Sequence, residues 1–201
     1  MSIFGISTSQ QVNKNYISPN GEYEIILKSK ELGECRIELT YYLVPNNNDT
    51  LEFNKSVIRD LQPPTNIFTN DSKKLIFTNY EDEQGFKIKI MDLINKKIIF
   101  ETNGFIFSND QNKLKYYDSS NNILIYFNDP QDNDHKTIEV HRLNLKTLKT
   151  EILTKIETSG HSISKWPYIE EMNTESRLMT LKYQKITRTN SFYMETELIN
   201  Y

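Results

Sequence analysis

Leu75-Ile76-Phe77-Thr78, a polar gap, Phe86-Lys87-Ile88-Lys89-Ile90-Met91-Asp92-Leu93, the polar tetrad Ile94-Asn95-Lys96-Lys97 and then Ile98-Ile99-Phe100-Glu101-Thr102 form the stretch from which the rest of this chain can be read. Three short runs rich in Ile and Phe, separated by turn residues, predict a three-strand antiparallel meander. The stretch has an echo. Leu124-Ile125-Tyr126-Phe127, a polar gap, Ile138-Glu139-Val140-His141-Arg142-Leu143-Asn144-Leu145, then Lys146-Thr147-Leu148-Lys149 and Thr150-Glu151-Ile152-Leu153-Thr154 repeat its plan. In both copies the apolar phase of the long strand slips by one residue: Phe86, Ile88 and Ile90 give way to Met91 and Leu93, and Ile138 and Val140 to Leu143 and Leu145. A one-residue slip turns every later side chain to the other face, so a bulge or bend shared by the two copies is expected.

The same plan extends outward in both directions. Tyr16-Ile17-Ser18-Pro19-Asn20-Gly21 leads into Glu22 to Leu27, with a hairpin expected through Lys28 to Glu34 and a further strand from Arg36 to Val44. Laid over Ile67 to Phe77, this opening recurs at a spacing of roughly 50 residues, the period of a repeat array. Tyr116 to Ile125 supplies a third copy and Ile169 to Leu181, with Ser191 to Leu198, a looser fourth. Four units are therefore drawn at about 16–58, 67–102, 116–154 and 168–198 of one all-β domain. Ser2 to Lys14 add either an edge strand or a loose tail.

Composition is compatible with this layout. Twelve Tyr and ten Phe suit pleated strands. With 24 Lys and Arg against 27 Asp and Glu, interspersed, the net charge is -3 and no clustered basic footprint points to nucleic acid. The single cysteine, Cys35, allows no internal disulfide, and no run reaches the length of a membrane span or a signal peptide, so a cytoplasmic protein without membrane contact is expected.

The opening Ser18-Pro19-Asn20-Gly21-x-Tyr23, its counterpart Asn70-Asp71-Ser72-Lys73-Lys74-Leu75-Ile76-Phe77, and the closing patterns strand-Asp92-Leu93-x-Asn95-Lys96-Lys97 and strand-Asn144-Leu145-Lys146-Thr147-Leu148-Lys149 resemble the blades of TolB-like and WD40-like β-propellers. The Gly-His and Trp-Asp pairs of such blades are absent from these positions. The resemblance implies antiparallel meanders forming a small propeller-like blade stack. A β-sandwich of similar strand content is the alternative.

No phosphate loop, nucleophile elbow, zinc-type Cys/His spacing or His-Glu-x-x-His segment occurs in the sequence, and no catalytic residue, metal or cofactor is assigned. His141 reads as a strand residue; His135 and His161 read as loop residues. Two acidic gaps fall at equivalent places in neighbouring units: Glu81, Asp82 and Glu83 in one, Asp129, Asp132 and Asp134 in the next. The second gap lacks the turn glycine and terminal Glu of a calcium loop, so it reads as a solvated hairpin tip on the same rim as the first. Aligned negative charge on a rigid scaffold can steer a basic partner. Trp166 and Tyr168 flank Pro167 at a unit boundary, where they either plug the core or anchor a ligand. In the doublets Tyr41-Tyr42, Tyr116-Tyr117 and Phe192-Tyr193 one ring is expected to face each side of its strand, the outward one being a possible interface anchor.

The short length, the Ser-Pro-Asn-Gly-x-Tyr opening and the mild acidity are similar in style to small bacterial immunity proteins. The expected function is thus a non-enzymatic protein-binding module that neutralises a cognate toxin, often a basic one. The alternative is a degenerate propeller domain binding a glycan or small molecule near the blade axis, with Trp166, Tyr168 and His161 as lining residues.

Overall fold

The computed structural model describes residues 16–33, 36–46, 49–59, 65–81, 85–106, 113–128, 137–157, 167–186 and 192–201. These residues form four separate antiparallel sheets. The first holds β1 (Tyr16–Ile17), β2 (Tyr23–Gly33), β3 (Arg36–Pro45) and β4 (Leu51–Arg59) in that order. The second holds β5 (Asn66–Phe68), β6 (Lys74–Glu81), β7 (Gly85–Asp92) and β8 (Lys97–Asn103). The third holds β9 (Tyr117–Asp118), β10 (Ile123–Phe127), β11 (Thr137–Asn144) and β12 (Lys149–Glu157). The fourth holds only β13 (Tyr168–Asn173), β14 (Leu178–Ile186) and β15 (Phe192–Asn200).

The chain is thus all-β and blade-like, and four separate meanders replace the two layers of the alternative sandwich. Two expectations are corrected. Each of the first three sheets opens with an extra strand of two or three residues, and β2 continues to Gly33 where a hairpin was expected from Lys28.

The repeat is defined by one hydrogen bond. In every sheet the residue after the third strand donates its backbone N–H to the carbonyl just before the second strand: Asn46 to Glu22, Leu93 to Lys73, Leu145 to Asn122 and Tyr201 to Arg177. Tyr23, Lys74, Ile123 and Leu178 are therefore equivalent, each being the first residue of its second strand.

Alternation along these strands stacks the sheets face to face. From β6, Leu75 and Phe77 join Ile25, Leu27, Leu39, Tyr41 and Leu43 of the first sheet, whereas Ile76 joins the core shared with the third and fourth sheets. The slip in β7 does the same, sending Ile88 and Ile90 to one core and Met91 and Leu93 to the other, and the register with β8 shifts between Ile90 and Met91. The second expected slip coincides with a shift between Val140 and His141.

A 3-10 turn, Lys113–Tyr116, precedes β9 and corrects the tyrosine doublet. Both rings are buried, because the turn aims them at different neighbours: the Tyr116 hydroxyl accepts the Ile169 N–H of the fourth sheet, and the Tyr117 hydroxyl accepts the Asn70 N–H of the second. Burial raises the pKa of both hydroxyls and so keeps them protonated.

The tight turns share a chemistry that fixes their ends. A side-chain oxygen caps the turn and a residue at positive φ closes it. Asp92, Asp118, Asn144 and Asn173 cap, and Lys96, Asn122, Leu148 and Arg177 close at φ of 52, 55, 56 and 55°. In a non-glycine residue this conformation costs roughly 1 kcal/mol, so Lys96→Gly is expected to raise stability by about 0.5–1 kcal/mol in urea unfolding. Asn122→Gly should change it less, since asparagine tolerates this region. Equal gains at both sites would contradict the turn analysis.

Candidate functional site

Meander topology gives the stack two unlike ends. First-to-second and third-to-fourth strand turns lie at one end, and second-to-third strand loops at the other. Of the acidic residues expected there, Glu81 closes β6 opposite Gly85. Asp82, Glu83, Asp129, Asp132, Asp134, Trp166, His135 and His161 lie outside the described residues. The flanks Asn128 and Thr137 place the second acidic loop between β10 and β11, equivalent to the loop between β6 and β7. Tyr168 opens β13 opposite Lys182 and is 37% exposed, on the sheet face turned away from the third sheet.

Charged side chains join third strands to fourth strands in each complete sheet. Lys55 bonds Glu38 at 3.0 Å, Glu101 bonds Lys87 at 3.0 Å and Lys89 at 3.5 Å, and Lys155 bonds Glu139 at 2.7 Å. His141 extends the last group, its Nε2 3.0 Å from Glu139 and its ring stacked on Tyr126 with centroids 4.9 Å apart. Burial of His141 outweighs the attraction of Glu139 and holds its pKa below the usual 6.5. Salt bridging by Lys155 lowers Glu139, and Lys87 lowers Glu101. The arrangement joins strands, and among the described residues no group of three or more His, Cys, Asp or Glu suits a metal ion.

A pH dependence follows from His141. Its folded pKa is depressed, so below 6.5 the unfolded chain takes up a proton that the folded chain refuses. Stability should be complete above that pH and decline as pH falls below it, and His141→Gln should flatten this limb of a Tm profile taken from pH about 8 to about 5. An unchanged slope in the variant would assign it elsewhere.

The two outward faces of the stack differ from the faces inside it. One residue into the second strand, Leu75, Leu124 and Met179 are buried against the preceding sheet, but the first sheet has Glu24 there. One residue further, Ile25, Ile76 and Ile125 are buried on the opposite face, but the fourth sheet has Thr180. Glu24 and Thr180 are thus polar at positions that are buried and apolar in the other three sheets. The fourth sheet is exceptional in a second way: among the described residues its third strand, β15, has no fourth strand beside it.

Sequence reasoning missed a buried polar centre. Asp118 is 0% exposed; its Oδ1 accepts the N–H groups of Ser120 and Asn121, and its Oδ2 accepts the Asn121 amide at 2.7 Å and the Tyr201 hydroxyl at 3.3 Å. Arg177 donates to Asn121 from the fourth sheet. Asp118 falls in the polar turn of the third copy, but the burial that Tyr201 imposes across 83 residues of sequence was not legible.

No protein family and no curated protein matches this sequence. Among solved structures, the β-propeller domain of the trilobed protease from Pyrococcus furiosus is 13% identical, with 90% of this chain and 52% of that one covered and a TM-score of 0.49. The acylaminoacyl peptidase of Pyrococcus horikoshii is 13% identical over 88% of this chain and 30% of its own, with a TM-score of 0.44. A puromycin hydrolase is 9% identical over 92% and 26%, with a TM-score of 0.48. The chain spans about half of the first and less than a third of the other two. No described helix is long and apolar enough to cross a membrane.

Proposed function

We propose that this chain is a non-enzymatic protein-binding module whose loop end receives a basic partner, with a cognate toxin as the partner class that its opening pattern resembles. The observation that carries this reading is the shared placement of two acidic segments. In the sequence, Glu81-Asp82-Glu83 and Asp129 to Asp134 fall between the second and third strands of neighbouring repeats, and the described strand ends that flank them, Glu81 with Gly85 and Phe127 with Thr137, are equivalent in the two sheets. Loops on a stacked β scaffold can vary without disturbing the core, and clustered carboxylates raise the encounter rate with a cation-rich surface.

The test is titration of the purified chain with the basic protein encoded beside its gene. A stoichiometric complex is expected, weakening by on the order of tenfold when salt shortens the Debye length to about 3 Å. Neutralising Glu81, Asp82 and Glu83 together with Asp129, Asp132 and Asp134 should weaken it comparably at low salt. A complex indifferent to both changes, or no complex, would overturn the assignment of the loop end.

A further inference from the structure

We infer that the tight-turn end of the second and third sheets is a docking surface for an anionic lipid bilayer, with Ile94 entering the headgroup region and the lysines around it meeting the phosphates. This goes beyond the protein-binding function proposed above and does not rest on it. In the sequence these lysines lie apart, as Lys73, Lys96 with Lys97, and Lys146 with Lys149. The meander topology collects them, because first-to-second and third-to-fourth strand turns leave each sheet at the same end. All five are exposed. The Leu93 N–H bonds the Lys73 carbonyl and ties the two turns of the second sheet together, with Ile94 the next residue along. The acidic groups of these turns are Asp71, which accepts the Lys73 N–H, and Asp92, which accepts the Asn95 N–H, so both carboxylates face their own backbone. Asp49 of the first sheet's last turn lies 4.0 Å from Lys96.

Ile94 distinguishes a bilayer from other anionic partners. Backbone hydrogen bonding makes Leu93 equivalent to Leu145, so Ile94 stands where the third sheet has Lys146. The same turn therefore forms without an apolar residue there, and Ile94 is left 69% exposed. Ile98 and Ile99 follow at 43% and 37%, successive residues at the point where β8 shifts its register with β7. Exposed isoleucines thus enclose Lys96 and Lys97 on both sides. Isoleucines gain by leaving water only against hydrocarbon, and lysines gain only against anions; a bilayer with acidic headgroups supplies both at one surface. A partner that is merely anionic answers the lysines and leaves the isoleucines in water. Lysine stems can lie along the apolar layer while their ammonium groups stay with the phosphates. The expectation of no membrane contact rested on the lack of a spanning run, which a surface contact does not need. Docked in this way, the end at which second strands pass to third strands faces away from the bilayer.

Flotation of the full chain with lipid vesicles tests this. Vesicles of phosphatidylcholine with about a third phosphatidylserine are expected to carry the chain at low salt and to release most of it at about 1 M salt, whereas phosphatidylcholine alone should carry little. Backbone amide exchange over 93–99 should slow on the anionic vesicles. Ile94→Ser is expected to weaken the partition about tenfold, and Lys73→Gln with Lys97→Gln about fivefold for each lysine. The three side chains are exposed, so unchanged urea midpoints would verify that both variants remain folded. The comparison of the two vesicle types on the unaltered chain needs no variant. Equal binding to both types, binding to neither, or exchange protection confined to residues outside 93–99 would overturn the site. So would full binding by Ile94→Ser beside a loss in the lysine variant, since the surface would then answer to charge alone, as it would for a nucleic acid or an acidic protein.

Discussion

Asp118→Ala is expected to lower the unfolding free energy by about 2 kcal/mol, since it removes a fully buried acceptor on which four donors converge. Two backbone N–H groups, the Asn121 side-chain amide and the Tyr201 hydroxyl all converge on this one carboxylate. Removing it uncaps the turn, leaves the buried Tyr201 hydroxyl with only the Asn173 carbonyl, and loosens Tyr201, whose backbone N–H closes the fourth sheet on Arg177. Asp118→Asn keeps one oxygen but turns a donor toward donors, so roughly 1–2 kcal/mol is expected. Tyr201→Phe removes a single bond to the centre and should cost about 1 kcal/mol. The urea midpoints of the two single variants and the double variant give the coupling; a loss below about 0.5 kcal/mol for Asp118→Ala would mean that the centre contributes no more than a surface turn.

Tyr201 supplies an independent check on the same centre. Its burial, with the charge of Asp118 beside it, pushes its pKa up to about 12. A folded pKa raised above the unfolded value of 10.0 means that stability is complete below the unfolded pKa and is lost as pH rises toward the folded one. Tyr201→Phe should therefore remove part of the alkaline loss between those values. Tyr116, Tyr117 and Tyr126, all raised by burial, retain the remainder.

Much of the fold was legible because its repeats are written in local chemistry. Thr69 reproduces the bonds of Ser18 atom for atom: each side-chain oxygen bonds the residue two ahead and accepts the N–H five ahead, and Asn20 with Gly21 and Asp71 with Ser72 complete equivalent turns. The phase slips in β7 and β11 could be read because charged residues alternate with the apolar ones up to the slip. Three further register shifts, at Glu31/Gly33, Tyr41/Tyr42 and Ile169/Glu171, escaped notice. Tyrosine fits either face, so Tyr41 and Tyr42 carry no phase. Long-range contacts were beyond the same approach. Whether Tyr116 and Tyr117 point inward depends on the 3-10 turn and on partners 53 and 47 residues away. Glu24 and Thr180 become informative only once backbone hydrogen bonds align the four second strands. The candidate interface was legible only as composition: the acidic segments can be seen in the sequence, but the equivalence of the strand ends that flank them is a property of pairing.

Gly104→Ala is the substitution expected to do most damage at the seam between the second and third sheets. The chain leaves β8 at Gly104, whose N–H bonds the Phe86 carbonyl, and Phe105 then pairs with Phe127 through both of its backbone groups. Gly104 holds φ at 149°, where side chains are rarely tolerated, and an added Cβ would lie 2.5 Å from the Phe127 carbonyl oxygen and 2.8 Å from the Tyr126 ring. The oxygen is already committed to Phe105, and Tyr126 is fixed between its neighbours and His141, so neither can retreat cheaply. Conformational strain together with overpacking should cost about 3 kcal/mol or more. It should also slow the closure of the Phe105 and Phe127 rings, which stack at 5.5 Å. Gly33→Ala separates the two causes: φ there is 81°, but an added Cβ meets nothing within 4 Å, so only the backbone penalty of about 1 kcal/mol remains. If urea unfolding gave equal losses for the two variants, crowding at the seam would contribute nothing and the coupling of the second and third sheets would have to reside in their side chains alone.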